Sequence, residues 1–222
     1  MQPLRKAWAF LPEFLARLTV RRDSGPIDST DALCGFVATR AAFIAQKTLY
    51  GYLKARMGTR YPSMFEDDVF ASSIDIAKMH VFAACLSDLT LFAVSHALQD
   101  ETVDDVLRRE LALHCFHKGL ADNAAAAAKT SAFSAQEAMQ AFERRLAFHD
   151  WHDGPRGAAL FTASPAALFE WAPIAPALKK YDKEIVENSI KFKWREIRDR
   201  FEKRVQGSAV TADLTSFADL RH

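Results

Sequence analysis

The stretch MHVFAACLSDLTLFAVSHAL, residues 79–98, decides the fold. It is apolar nearly all round, so as a helix it offers no broad face to water. A membrane span needs about 20 such residues, and the length fits. Asp88 stands at its centre, where a charge costs about 3 kcal/mol in lipid, and His80 and His96 add to that cost. The stretch therefore reads as the central buried helix of a bundle, with a transmembrane span as the alternative.

Working backwards, Ser63-Met64-Phe65-Glu66 forms a capping box after Pro62, and Glu66, Asp67 and Asp68 put negative charge at the positive end of the helix dipole. Upstream, Asp28-Ser29-Thr30 supplies an N-cap and Gly58 a stop. Between them Phe36, Phe43, Tyr50 and Met57 recur every seven residues, beside Val37 and Ile44, as a packing seam. The first segment, Leu4 to Val20, carries Leu4, Trp8, Leu11, Phe14, Leu15 and Leu18 on one face and basic residues off it. Pro12 kinks or divides it. Residues 1–22 thus read as an amphipathic segment that docks on its own domain, with peripheral membrane contact through residues 4–20 as the alternative.

Working forwards, a helix is expected from Thr102, with Asp104 and Asp105 in its first turn, to about Gly119. The short link makes it an antiparallel neighbour of the central helix. An alanine run, 124–128, follows, and Ser134-Ala135-Gln136-Glu137 is a second capping box. Its helix presents Ala135, Met139, Phe142 and Leu146 on one face. Ser164-Pro165 opens a short helix through Trp171. A last long helix spans about Ala177 to Val205, with Ile190, Trp194, Ile197, Phe201 and Val205 as its later stripe. The tail after Gly207 is weakly patterned, so residues 207–222 are expected to be loose.

Chemistry is suggested at one place above all. Glu110, His114 and His117, spaced i, i+4, i+7, share a narrow arc with Val103, Val106, Leu107 and Leu113, an arc that reads as buried. A carboxylate and two imidazoles on one helical face suit zinc or iron, or an acid/base set. Counting outward from a turn near Asp100 sets Asp88 level with Leu113 and His114, where it orients or completes such a site. The paired Glu-x-x-His motifs of di-iron bundles are absent, as is His-Glu-x-x-His. Mutual satisfaction of buried polar groups explains the same residues. A second cluster, His149-Asp150-Trp151-His152-Asp153-Gly154, sits at a helix end, where ordinary terminus chemistry accounts for most of it.

Several classes are disfavoured. Among 222 residues the formal net charge is +1, which does not suit a nucleic-acid binder. The charge is uneven: residues 179–204 hold ten basic and six acidic side chains, and 61–110 hold ten acidic and three basic ones. The plain explanation is that basic ends pack near an acidic middle; otherwise one end meets an acidic surface. Cys34, Cys85 and Cys115 are odd in number and widely spaced. They read as small hydrophobes rather than a disulfide framework or a zinc site, and a reducing, cytoplasmic setting is the expectation. The sequence contains no GxSxG elbow, phosphate loop or dinucleotide fingerprint.

The stretch RMGTRYPSMFEDDVF, residues 56–70, and IDIAKMHVFAACLSDLTLF after it resemble an uncharacterised helical family of bacterial proteins. Some of its members carry the label "esterase". The resemblance covers the first half of the chain, implies a hydrolase, and transfers no catalytic residue.

The expected fold is all-α: one domain over 1–222, a bundle of five to seven helices around residues 79–98. The expected function is an interaction or regulatory module that docks on a protein partner or a membrane surface. Its mark is an apolar face with no intramolecular partner. A metal-dependent or acid/base enzyme built on Glu110, His114, His117 and Asp88 is the first alternative, and a hydrolase the second.

Overall fold

A computed structural model describes residues 25–58, 66–99, 103–130 and 132–219. Among these residues the chain is all-α. Seven helices of nine residues or more are accompanied by two single turns: α1 (Thr30–Met57), α2 (Asp68–Ala97), α3 (Asp105–Asp122), α4 (Ala124–Ala127), α5 (Ala135–Ala147), α6 (Ala163–Trp171), α7 (Pro176–Lys179), α8 (Lys183–Glu202) and α9 (Gly207–Asp219). The amphipathic segment 4–20 and Ser63 to Phe65 of the first capping box lie outside the described residues.

α2 is the centre, as its composition demands. From Met79 to Leu98 nearly every side chain is shielded from water. By length and composition alone α2 could cross a membrane. Here its walls are other helices: α1, α6 and α3 pack along it, and its apolar side chains join theirs in one buried cluster. It begins at Asp67, whose carboxylate accepts from the Val69 and Phe70 amides. Ser29 caps α1 and Ser134 caps α5, each accepting a backbone amide of its first turn. Gly58 ends α1 at φ 54°, a left-handed conformation that favours glycine.

The start of α3 is Asp104 rather than Thr102. Its carboxylate accepts from the Val106 amide, and the helix runs past Gly119 to Asp122. The glycine is a packing device: a Cβ there would stand 2.7 Å from Leu86 Cδ1.

Three further expectations are corrected. The long helix 177–205 is broken at Tyr181–Asp182, between α7 and α8. Asp182 is buried, accepts 2.7 Å from the Tyr52 hydroxyl, and pairs with Arg56. That tether ties the break to the end of α1.

The tail is no loose end. Residues 207–219 form α9, with Val210 and Leu214 buried. Asp213 accepts from both the Thr30 amide (2.8 Å) and the Thr30 hydroxyl (2.7 Å), capping the start of α1. Gly207 lies so close to the end of α2 that a Cβ would sit 2.7 Å from the Ala97 carbonyl oxygen.

Cys34 and Cys115 form a disulfide joining α1 to α3, while Cys85 stays free and buried. Packing brings together two positions 81 residues apart. Wide spacing in sequence says nothing against that. The reducing setting was inferred from unpaired cysteines, and that premise does not hold.

Candidate functional site

The residues marked by the sequence do not converge. Glu110, His114 and His117 are all exposed. The buried face of α3 is the opposite one, carrying Arg108, Leu111, Ala112, Cys115, Phe116 and Gly119. Both faces of α3 hold apolar residues. The helix buries the one whose small Ala112 and Gly119 admit close approach, and on the other Val106 is exposed. Among the described residues no group of three or more His, Cys, Asp or Glu side chains is arranged to hold a metal ion. The expected metal or acid/base set of Glu110, His114, His117 and Asp88 is corrected on that geometry.

Asp88 has a different task. It is fully buried and addresses α6 and α5, not the exposed face of α3. Its Oδ1 accepts from Arg145 Nη1 (2.7 Å) and the Ala163 amide (3.1 Å). Its Oδ2 accepts from the Ser164 amide (2.8 Å) and the Ser164 hydroxyl (2.6 Å). A carboxylate on the central helix thus caps the start of α6 from outside, where charge and open amides favour an anion. Ser164 Oγ accepts in turn from Trp194 Nε1 at 2.9 Å, which fixes α8. Arg145 also donates to Ser87 Oγ and the Leu160 carbonyl. Burial and the Asp88 charge push the nearby Cys85 thiol up, so it stays a protonated thiol. Both oxygens of Asp88 are spent on structure.

Open to water instead is a polar cleft of about 230 Å3, lined in part by Ser95, His96, Gln99, Arg108, His152 and Arg156. It gathers the ends of α2 and α3 with the loop after α5. Asp150, Trp151 and His152 of the His149–Gly154 cluster line one side of it. Asp150 Oδ1 accepts from the His152 and Asp153 amides, which turns the loop. Those amides hold the Asp150 carboxyl below its usual range. Arg108 donates to Asp105 (2.7 Å), and His152 Nε2 lies 3.2 Å from the same carboxylate. Ser95 Oγ lies 3.3 Å from His149 Nε2. Burial, with the Arg145 charge, lowers the His149 pKa, so the imidazole is the neutral base at neutral pH. A hydroxyl beside a neutral imidazole at a cleft edge is a plain proton-transfer pair. Asp150 is turned into its own loop, so the pair has no carboxylate from that residue to orient it.

A second candidate is a surface. Leu178, Tyr181, Ile185 and Phe192 are 67%, 82%, 70% and 67% exposed. Ile185 and Phe192 are seven residues apart on one face of α8, while Leu178 lies on α7 and Tyr181 in the break between the two helices. The face of Ile185 and Phe192 is opposite the buried stripe of Val186, Ile190, Trp194, Ile197 and Phe201. Lys180 Nζ sits 5.2 Å from the Tyr181 ring centre, and Lys193 Nζ 5.5 Å from that of Phe192. Sequence reading named only the inner stripe of this helix. The outer one was legible as Ile185 and Phe192 seven apart, masked by the assumption that one helix has one apolar face.

Comparison with known protein families, curated proteins and solved structures returns no match for this chain.

Proposed function

We propose that this protein is a docking module, a helical scaffold that presents the outer face of α7 and α8 to another surface and so serves interaction or regulation. The observation that carries this is the exposure of Ile185 and Phe192, seven residues apart on the outer face of α8, with Leu178 and Tyr181 also turned to water just before that helix. Single exposed apolar residues such as Val69 and Phe148 are ordinary. Four such side chains within fifteen residues, two of them with a lysine beside the ring, mark a contact surface. The test compares the native chain with Ile185→Ser/Phe192→Ser in whole extracts of its source cells, by sedimentation after crosslinking. The native chain is expected in a larger or particulate fraction that the double variant leaves. Identical sedimentation of both chains as monomers overturns the reading.

A second reading has its own observation. The Ser95–His149 pair at the cleft edge supports the hydrolase that the family resemblance implies, with Ser95 as nucleophile and His149 as base. A serine-reactive fluorophosphonate probe is expected to label the native chain and not Ser95→Ala. An unlabelled native chain ends this reading.

A further inference from the structure

The core holds three cysteines and joins two of them. Cys34 on α1 and Cys115 on α3 are bonded, Cys85 on α2 is a free thiol, and all three side chains are fully buried. By residue number, Cys85 and Cys115 stand 30 apart in the chain, Cys34 and Cys85 stand 51 apart, and the bonded pair 81. In an unfolded chain the ease of closing a loop falls with about the three-halves power of its length. The pair that the fold contains would then be the rarest of the three, about one pairing in eight, and Cys85–Cys115 the commonest.

Packing reverses that order. α3 lies against both α1 and α2, and Gly119 lets it come close to Leu86 of α2. Cys85 precedes Leu86 by one residue and so takes another side of α2. There it stands with Asp88 and Ser164, where α6 packs. Burial and the Asp88 charge keep it a protonated thiol, which is a poor nucleophile in disulfide exchange. Burial also sets when the bond forms. Exchange needs an outside sulfur to reach the reacting one, and in the closed fold Cys34 and Cys115 present no surface to reach. An oxidant has to arrive while α1 and α3 are near enough to select the pair and the core is still open.

We infer that Cys34 and Cys115 are oxidised by a disulfide-bearing oxidant in a folding intermediate whose α1, α2 and α3 are already docked, with Cys85 held out of the exchange by its seat against α6, and that the chain completes its folding in an oxidising setting. One cysteine thiolate attacks the oxidant's disulfide, which forms a mixed disulfide and releases one oxidant thiol. The other cysteine thiolate then attacks the chain's own sulfur in that mixed disulfide and releases the second. Two electrons pass from the cysteines to the oxidant, and the two cysteine protons end on its sulfurs. The inference rests on the core alone, apart from the outer face of α8 and from the cleft.

The experiment oxidises the reduced, unfolded full chain with glutathione disulfide in two arms, one kept in urea and one diluted into folding buffer. Products are trapped in acid and their pairings read by peptide mass spectrometry. In urea the Cys34–Cys115 bond is expected in about one of eight singly bonded chains. In folding buffer its share is expected to rise at least about fourfold; a smaller rise overturns the inference. Cys85→Ala is expected to form the bond in folding buffer within about twofold of the native rate. A larger change makes Cys85 a participant in the exchange and overturns the inference as well. Chain drawn from its source cells straight into acid, then denatured and tagged at its thiols, is expected to carry one tag, and three after reduction. More than one tag before reduction overturns the oxidising setting and the inference with it.

Discussion

Helix α8 carries two rows of similar side chains. Val186, Ile190, Trp194, Ile197 and Phe201 face inward and are almost wholly buried; Ile185 and Phe192 face outward and are mostly exposed. Apolar character does not separate the rows. The inner row ends in a hydrogen bond that places it: Trp194 Nε1 donates to Ser164, which donates to Asp88 on the central helix. The outer row has lysines on either side and no such anchor. The difference teaches that burial here is set by a polar register pin as much as by the hydrophobic pattern, and that the row left over is free to act on something else.

Emptying the inner row should have the largest effect. Trp194→Ala leaves a cavity and removes the indole donor from Ser164 Oγ, and is expected to cost about 3–5 kcal/mol in urea unfolding. If it cost no more than an outer substitution, the two rows would not differ as described. Cutting the Cys34–Cys115 bridge, which closes a long loop between α1 and α3, comes next. Cys34→Ala/Cys115→Ala should cost about 2–4 kcal/mol. The same shift in the urea midpoint should appear in the native chain under strong reductant. Asp88→Asn keeps the size but sets an amide NH2 against donors that now converge on a carboxylate. About 2–3 kcal/mol is expected, from unpaired buried donors and a weakened Arg145. Ile185→Ser/Phe192→Ser should stay within about 0.5 kcal/mol of the native chain, because both side chains are mostly exposed. Stability unchanged while docking is lost is the signature that separates the outer row from the inner one.

The same contrast explains what could be read from the sequence. Met79–Leu98 was legible because a largely apolar stretch of twenty residues with one acid at its centre allows few solutions, and burial among helices is the one found. Ser29, Gly58 and Ser134 were legible because a cap is a local bond between near neighbours. Asp88 was recognised as buried, yet its partners were misassigned: they come from Arg145, Ala163 and Ser164, and no local rule reaches that far along the chain. The faces of α3 were misread because Val106, Leu107 and Leu113 compete with Leu111, Cys115 and Phe116, and small residues tip the balance. The tail hid its order in Val210, Leu214 and Asp213, three anchors spread over five residues, of which the last caps a helix far away in sequence. In each case the misreading lies where a long-range polar contact or a close approach outweighs the periodic pattern.

The smallest expected effect concerns the cleft, where His149 stands half-buried beside Ser95. Burial first, then the Arg145 charge, lowers its pKa from the ordinary 6.5, with Asp150 opposing. The sign follows from proton counting. In the unfolded chain His149 takes up a proton as the pH falls through 6.5; in the folded chain it resists until a lower pH. Its contribution to stability is therefore fully present above 6.5 and is lost as the pH falls through the folded value. His149→Asn removes the titration and keeps a polar side chain near Ser95. Urea unfolding of this variant should show a flatter decline in stability just below pH 6.5 than the native chain, with the two curves parallel above it. Parallel curves throughout would mean that the imbalance in protonation is absent, and the neutral base at the cleft edge with it. Because Ile185 and Phe192 lie on α8 and the cleft is walled by the loop after α5, sedimentation of His149→Asn in extract should match the native chain at neutral pH. A difference there would join two regions that the structure keeps apart.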